Sequence, residues 1–266
     1  MQNVLKNTIN YNQQQAMKYS HKALYGLLLL VITLMTSVSD LRAEEKDIDG
    51  HTINTVSIGT QVWMQENLDV SRYRNGEPIR YAATSQDWLD AAAKGEGAWS
   101  YYKNDVASNG KYGRLYNWYA VQDPRGLAPS GWHVPTTQEF KKLSTALGGV
   151  YVAGGKMKST TLWLSPIFAA DNSGQPTVCV PNGNVLASVC RPNFTANNSS
   201  RFTGMPGGMR GTDGGFFFMG ENAFFWSSTE STRTISSYGA LSYHLPTFVQ
   251  GTEQNADGMS VRCIRN

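Results

Sequence analysis

The prediction of the fold starts from the stretch Gly131–Phe140, "GWHVPTTQEF". Thr136 and Glu139 stand three residues apart, the spacing of a capping box, in which each side chain binds the backbone N–H of the other residue. Pro135 disfavours helical backbone in the residue before it, so the chain enters from an extended segment. The apolar residues that follow repeat on one helical face: Phe140, Leu143 and Leu147. The sequence therefore predicts a helix over residues 137–147 that ends at Gly148–Gly149.

His133 within this stretch has two interpretations. It could act as a general base beside the helix N-terminus, although the positive end of the helix dipole there opposes protonation. It could instead be a structural wedge between Trp132 and the helix cap, with its ring nitrogens bonded to nearby backbone. We favour the structural role, because no serine, cysteine or carboxylate motif accompanies the histidine.

Upstream of this stretch, the sequence predicts a hairpin and a short helix. Ile48–Leu68 contains two strand-like runs separated by the turn signal Gly59–Thr60. The apolar alternation slips near Val56, which predicts a bulge or a break in register. The segment Ser85–Lys94, "SQDWLDAAAK", is typical of a short helix with Ser85 as its N-cap.

The remaining chain is typical of short strands separated by glycines and polar turns. Leu115–Val121 is predicted to form a short helical turn, and Arg201–Glu230 a series of aromatic strands. Ala240–Gly251 and Gly258–Asn266 supply the last two strands. The polar segment Ala170–Ser200 is a long excursion, a type of loop that is usually functional or mobile. Few helices among many strands predict the α+β class, mostly antiparallel, with about two helices.

The N-terminal region is typical of an export signal. Ala23–Val38 is an apolar run, rather short for a membrane-spanning helix, with candidate cleavage points after Ser39 and Ala43. Basic residues precede it: Lys18, His21 and Lys22. A translation start at Met17 would give a conventional signal, and retention as an uncleaved anchor is the alternative. Residues 44–266 then form a single domain.

The leader, residues 1–43, also accounts for the excess of positive charge. The whole chain carries 23 basic and 20 acidic side chains. The leader holds four basic residues against the single acid Asp40: Lys6, Lys18, Lys22 and Arg42. The domain is therefore formally neutral, and it lacks the electrostatic footprint of a nucleic-acid-binding protein.

The three cysteines permit one local disulfide. Cys179 and Cys190 could close the loop "CVPNGNVLASVC" in an oxidising compartment, which stabilises by roughly 2–3 kcal/mol in the chain-entropy model. Cys263 would then be left over as an odd thiol.

Motifs typical of common enzymes are absent from the sequence. H-E-x-x-H, the phosphate-binding G-x-x-x-x-G-K-[ST], G-x-S-x-G and C-x-x-C do not occur. The three histidines of the domain, His51, His133 and His244, stand alone, so paired zinc ligands are not indicated. Asp47-x-Asp49-Gly50 begins like a calcium loop, but the further oxygens are missing, which favours a simple turn. We therefore predict no metal and no cofactor.

The aromatic residues are the best indication of function. Eight rings fall in short runs: Tyr101, Tyr102, Phe216, Phe217, Phe218, Phe224, Phe225 and Trp226. Neighbours in a strand point to opposite faces, so these runs cannot all face one core. Exposed members could stack on sugars or contact a protein, whereas a two-sided core packed under loops is the alternative.

Five segments together give the chain a family resemblance. They are "DIDGHTINTVSIGTQVWMQENLDVSRYRNGEPI" (47–79), "YGRLYNWYAV" (112–121), "GWHVPTTQEF" (131–140), "GMPGGMRGTDGGFFFMGENAFFWSSTE" (204–230) and "SVRCIRN" (260–266). In this order they resemble the Fibrobacter succinogenes major paralogous domain. The resemblance covers the chain from about Asp47 to the C-terminus. It implies a C-type-lectin-like fold, related in architecture to sulfatase-modifying factors, in exported or surface proteins of Fibrobacter and Bacteroidetes-type bacteria.

The chain departs from the family pattern in two places. Members often have a cysteine just before the "P-x-G-W-H-V-P" element, and the resemblance implies its pairing with the C-terminal "VRC". Here that position is Ala128, which leaves Cys263 without this partner. The cysteine-bearing segment, about 171–198, resembles an insertion, and its two cysteines either bridge each other or supply one partner for Cys263. The Glu-Pro-Asn and Trp-Asn-Asp motifs of calcium-dependent lectins are also absent.

From these features we expect an exported, non-enzymatic module that binds a glycan or a surface protein. Its place would be the cell surface, the outer membrane or the extracellular space, with membrane contact only through the signal or an uncleaved anchor. The candidate ligand-binding residues lie in the glycine-rich loops: Arg210, Asp213, Glu221, Asn222, Trp226 and Glu230. The alternatives are a structural or fimbria-associated subunit and a sulfatase-modifying-like oxidase, which would need a reactive cysteine pair.

Overall fold

The computed structural model describes residues 44–105, 107, 111–163, 168–170, 176–178 and 196–266, with Met17, Lys18, Ser20, His21, Lys22 and Tyr25 of the leader. The chain divides into two units, residues 1–44 and 45–266. The described leader residues are helical and exposed. Most of the predicted signal, the two cysteines of the possible disulfide and most of the predicted insertion lie outside the described residues. In the part of the chain that the structure describes, no helix has the length and apolar character needed to span a membrane.

The second unit mixes helices with many short strands, which confirms the α+β class. Its described helices are α1 (Ser85–Lys94), α2 (Trp118–Gln122), α3 (Thr137–Ala146) and α4 (Val150–Met157), with a 3-10 turn at Tyr102–Asn104. Its strands are β1 (Thr55–Ile58), β2 (Gln61–Met64), β3 (Arg80–Tyr81), β4 (Ala98–Ser100), β5 (Leu115–Asn117), β6 (Trp132–His133), β7 (Phe168–Ala170), β8 (Pro176–Val178), β9 (Gly207–Arg210), β10 (Phe216–Met219), β11 (Asn222–Thr232), β12 (Ile235–Ser242), β13 (Phe248–Gln254), β14 (Gly258–Met259) and β15 (Ile264–Arg265).

The strands form two main sheets and a small hairpin. The first sheet has the order β1-β2-β15-β6, and the hairpin pairs β7 with β8. The second sheet has the order β13-β12-β11-β9-β14-β5-β4-β3, with β10 added beside β9. Most neighbours are antiparallel, as predicted, whereas β11 runs parallel to β9 and β3 runs parallel to β4.

Helix α3 begins as its sequence predicts. The hydroxyl of Thr136 accepts the backbone N–H of Glu139, and a Glu139 carboxylate oxygen accepts the N–H of Thr136 at 2.8 Å, which confirms the capping box. Phe140 stacks on Trp63 of the first sheet, with ring centroids 5.8 Å apart. It also meets Phe248 of the second sheet edge to face. The helix therefore joins the two sheets through one apolar core.

Helix α1 begins one residue earlier than predicted. Thr84 is the N-cap and forms a capping box with Asp87, so the prediction of Ser85 as the cap is wrong. Ser85 is instead the first helical residue, and its hydroxyl donates to the carbonyl of Gly214 at 3.3 Å. The buried face of the helix carries Trp88, whose indole N–H donates to the carbonyl of Ala256. The helix is thereby attached to the second sheet.

The hairpin β1–β2 is regular, and the predicted bulge is wrong. Thr55 pairs with Met64, and the register continues without a shift to Ile58 and Gln61. Gly59 has a φ of 60°, so a two-residue turn closes the strands directly. Val56 is half-buried in spite of its odd position in the apolar pattern.

Helix α4 was not predicted from the sequence. It contains Gly154 and Gly155 together with β-branched valines, a composition of low helix propensity. Close packing explains Gly154, since a Cβ there would lie 2.1 Å from the carbonyl oxygen of Thr247. The prediction of about two helices was therefore too low.

Two further boundaries differ from the prediction. The strand expected over Ala240–Gly251 is divided between β12 and β13, with a turn at Tyr243 before Pro246. The expected helical turn at Leu115–Val121 is a strand followed by α2, whose first N–H groups are capped by the Asn117 side chain. In both cases the sequence predicts one continuous element across a residue that forms a turn or caps a helix.

Candidate functional site

Two of the six candidate ligand-binding residues are buried and have structural partners. The Arg210 guanidinium is fully buried and donates to the carbonyls of Ala82 at 2.7 Å and Thr84 at 2.8 Å. It lies between the rings of Trp88 and Phe216, and burial lowers its pKa to about 10. Trp226 is also fully buried, and its indole N–H donates to a backbone carbonyl. Neither side chain is available to a ligand at the surface.

The other four candidates are distributed over three places. Asp213 is exposed in the turn between β9 and β10, where its carboxylate accepts the N–H of Gly215. Glu230 is exposed near the far end of β11. Glu221 lies in the turn between β10 and β11, and its neighbour Asn222 is the first residue of β11. The structure therefore brings together only this last pair among the predicted residues.

Beside this pair, four aromatic rings form a continuous stripe on the surface. We call Phe217, Phe218, Phe224 and Tyr238 the aromatic stripe. Successive ring centroids lie 6.0, 6.1 and 5.7 Å apart, within the range of favourable ring contacts. Phe217 is 42% exposed and Phe218 46% exposed. Phe224 and Tyr238 are half-buried and also pack against the core, so the exposed part of the stripe is the pair Phe217 and Phe218. Contiguous exposed rings are typical of recognition surfaces.

An unusual backbone conformation places two consecutive phenylalanines side by side. Phe218 has a φ of 64°, in the left-handed region that bulky residues rarely adopt. In a regular strand, Phe217 and Phe218 would point to opposite faces. Here their rings are in contact instead. Such a conformation costs on the order of 1–3 kcal/mol and is characteristic of functional positions.

The strands next to the stripe present small and polar side chains on the same face. Asn222 pairs with Ser242, Phe224 with Ala240, and Tyr238 with Gly251, so alternate residues of β11, β12 and β13 share one side. Glu253, two residues beyond Gly251, belongs to the same side. Burial raises the pKa of Tyr238, and the nearby Glu253 carboxylate adds to this shift. The result is a face of rings bordered by amide, hydroxyl and carboxylate groups.

His133 has side-chain partners, so the predicted bonding to backbone is wrong. Its Nε2 lies 2.8 Å from Glu139 Oε1, and its Nδ1 lies 2.7 Å from Asn266 Oδ1. The carboxylate also caps α3 by accepting from Thr136. Although burial opposes the shift, the hydrogen bonds from Thr136 and His133 keep the pKa of Glu139 below its ordinary value. Both ring nitrogens are occupied by groups that hold the helix cap and the end of the chain.

The segment that resembled the start of a calcium loop is a turn. Asp47 Oδ1 accepts the backbone N–H groups of Asp49 and His51, and Gly50 has a φ of 90°. Asp49 Oδ2 accepts from the N–H and hydroxyl of Ser71. Among the described residues, no group of three His, Cys, Asp or Glu side chains could hold a metal ion.

A cleft next to this turn is a second candidate for the site. It has a volume of about 150 Å³. On one wall, Asp69 lies 3.1 Å from a guanidinium nitrogen of Arg114, which stacks over Trp99 and Tyr101. Burial raises the pKa of Asp69, while the Arg114 charge opposes this shift. These charged groups are engaged mainly with one another, which favours the aromatic stripe as the site.

Sequence reasoning named three members of the stripe but missed Tyr238 and its neighbour Gly251. Tyr238, Ala240 and Ser242 alternate with period two, and this signal could have extended the predicted strand upstream. The opposition of Tyr238 to Gly251 depends on the register of β12 and β13. That register follows from tertiary pairing and has no local sequence signature.

Comparison with known proteins gives one match. The sequence model of the family described as Fibrobacter succinogenes major domain matches residues 56–265. The match runs from β1 into β15 and so includes both main sheets and the aromatic stripe. No curated protein and no solved structure matches the chain.

Proposed function

The chain belongs to the Fibrobacter succinogenes major domain family, and from that premise we propose that it is an exported, non-enzymatic module that binds a glycan through the aromatic stripe. The leader sequence supports export to the cell surface or beyond it. The C-type-lectin-like architecture implied by the resemblance is part of this proposal.

One observation carries the proposal: the exposed stripe contains a phenylalanine held in the left-handed region. A strained backbone costs free energy, and burial of the ring offsets only part of this cost because Phe218 stays 46% exposed. Phe218 contacts both Phe217 and Phe224, so its strained position completes the stripe. Aromatic faces stack on the apolar faces of sugars, while polar groups at their edges bind the hydroxyls.

The polar border favours a glycan over an apolar peptide. Asn222, Ser242 and Glu253 stand on the same side as Phe224 and Tyr238. An amide, a hydroxyl and a carboxylate together can donate and accept hydrogen bonds with sugar hydroxyls. A surface for an apolar partner would lose these hydrogen bonds when it became buried.

Non-enzymatic binding is the second part of the proposal. Both ring nitrogens of His133 are bonded, and Cys263 is fully buried, where burial raises its pKa to about 12. A thiol in this state is a poor nucleophile. The oxidase alternative depends on Cys179 and Cys190, and counting redox-active thiols in the purified protein distinguishes it.

The direct test is a glycan array with the full chain and its Phe218→Gly variant. Glycine accepts the left-handed backbone, so this change removes the ring and relieves strain without opening the core. We expect binding to fall at least tenfold while stability is unchanged or higher. Tyr151→Ala is the matched control, because Tyr151 is 81% exposed on α4 and makes no ring contact with the stripe.

Loss of binding in both variants, or in neither, would contradict the role of the stripe. An array without any hit would contradict glycan binding itself. If the chain then co-purified stably with other envelope proteins, the structural-subunit alternative would replace the proposal.

A further inference from the structure

One end of the aromatic stripe forms a corner between two rings at right angles. The ring of Tyr238 lies across Gly251 on the neighbouring strand, since a Cβ at that glycine would be 2.7 Å from the phenol oxygen and 2.8 Å from Cζ. Phe224 stands beside it, with the ring planes at 74° and the centroids 5.7 Å apart. Tyr238 is therefore the floor of the corner, and Phe224 is its wall.

The floor depends on the absence of a side chain at Gly251. Gly251 pairs with Tyr238 as a strand residue, and its φ is not in the left-handed region that favours glycine. Its Cα is covered by the phenol instead, so any larger residue must lift the ring. Tyr238 is half-buried, and the uncovered part of its ring is the surface that stacks on a sugar.

The charges around the corner are negative. Glu253 borders the Tyr238 ring, and Glu221 lies in the turn next to Phe218. Lys158 is fully buried and donates to the backbone carbonyls of Ser242 and Leu245. It therefore does not offer its ammonium group to a ligand on this face.

His244 does not reverse this balance. Its Nδ1 lies 2.9 Å from the hydroxyl of Ser242. Burial lowers its pKa, the Lys158 charge lowers it further, and Glu221 opposes them. The lowered pKa disfavours a positive charge on the imidazole. A carboxylate or sulfate on a sugar would meet the like charge of Glu253 here.

We infer that the corner of Tyr238, Phe224 and Gly251 holds one uncharged pyranose ring and that Glu253 makes the site select against uronic and sulfated sugars. The inference rests on the proposed function and deepens it by naming the ligand class. The apolar face of the sugar lies on Tyr238, one edge meets Phe224, and a hydroxyl donates to the Glu253 carboxylate. A neutral glycan satisfies all three contacts, whereas an acidic one is repelled by the carboxylate.

The test is an array of neutral, uronate-bearing and sulfated glycans probed with the full chain and two variants. We expect the unmodified chain to bind neutral members at least tenfold more strongly than acidic ones. Glu253→Gln keeps the size of the side chain and removes its charge, so it should reduce this ratio at least fivefold. Gly251→Ala lifts the floor and should weaken binding to every member at least tenfold.

Controls separate the two proposals from each other and from misfolding. The thermal midpoint of Gly251→Ala shows whether it is folded, and Gln250→Ala, next to it on β13, is the matched control. Preference for acidic glycans, or an unchanged ratio in Glu253→Gln, overturns the inference about the corner. If Phe218→Gly still loses binding in that case, the proposed function stands. The absence of any glycan binding overturns both.

Discussion

Phe218 and Gly208 occupy facing positions of β10 and β9, and both have left-handed backbone, with φ of 64° and 66°. Their positions lie between the paired residues Phe217–Met209 and Met219–Gly207. Each conformation depends on the other, because a Cβ at Gly208 would lie 2.4 Å from the carbonyl oxygen of Phe217. The backbone conformation that exposes the Phe218 ring therefore depends on glycine at position 208 of the adjacent strand.

The first prediction concerns this pair. Gly208→Ala introduces both a clash and an unfavourable backbone angle, so we expect it to destabilise the fold by roughly 2–4 kcal/mol. Phe218→Gly should be neutral or stabilising by up to about 1 kcal/mol, since it relieves the strain. Urea denaturation measures both. Equal destabilisation by the two changes would mean that Phe218 is a core residue rather than a presented ring.

The second prediction restores the cysteine that the family resemblance implies at position 128. Ala128 and Cys263 are buried in the same core cluster. The Arg74 guanidinium binds the carbonyl of Ala128 at 2.8 Å and is near enough to Cys263 to oppose the rise of its pKa. We expect Ala128→Cys to form a disulfide with Cys263 and to stabilise the fold by about 2–4 kcal/mol.

Thiol titration and thermal melting under oxidising and reducing conditions check this pairing. Replacement of Cys179 and Cys190 by serine in the same background leaves Cys263 as the sole partner. Two thiols that stay free after oxidation would show that the side chains do not reach each other.

The third prediction is a pH dependence at Asp257, which is 5% exposed. Burial raises its pKa to about 6, the Glu253 charge adds to the shift, and a hydrogen bond from the Thr212 backbone opposes it. The folded state therefore binds this proton more tightly than the unfolded state does, and stability falls as the pH rises from about 4 through about 6. The buried charge destabilises the fold above that window.

Asp257→Asn removes this charge and keeps one acceptor oxygen. We expect it to be more stable than the unmodified chain at pH 8, by about 1–3 kcal/mol, and to match it at pH 4. Denaturation midpoints at the two pH values give the comparison. If Asp257→Asn destabilised the fold equally at both pH values, the carboxylate would instead stabilise the fold through its hydrogen bonds.

The fourth prediction has the opposite sign and concerns Glu139. Its pKa is held below the ordinary value of 4.5, because hydrogen bonds from Thr136 and His133 outweigh burial. Its contribution is therefore present above about pH 4.5 and is lost as the pH falls through the lowered pKa. We expect Glu139→Gln to destabilise by about 1 kcal/mol at pH 7 and to have little effect near pH 3. Lys142→Gln, on the same helix and exposed, is the control.

Local chemistry made part of the fold predictable. The capping box of Thr136 and Glu139 is complete within four residues, and the helix that it starts was predicted almost to its end. Helix α4 escaped prediction because Gly154 is favoured by a contact with Thr247, which lies far away in the sequence. From the sequence alone, two glycines predict a break in a helix, because the contact with the Thr247 carbonyl has no local signal.

The candidate site was less predictable for the same reason. Arg210 was expected at the surface, as arginines usually are, but it binds the carbonyls of Ala82 and Thr84 more than a hundred residues earlier in the chain. The left-handed angle of Phe218 and the opposition of Tyr238 to Gly251 arise from strand pairing. The excess of aromatic residues predicted that some rings are exposed, but tertiary register decides which ones.

The position of strand β15 has a consequence for the assembly of the first sheet. Ile264 pairs with Trp63 on one side and with His133 on the other, so β15 is interior to its sheet. The β1–β2 hairpin and β6 therefore cannot join into one sheet until β15, which lies more than a hundred residues further along the sequence, enters between them.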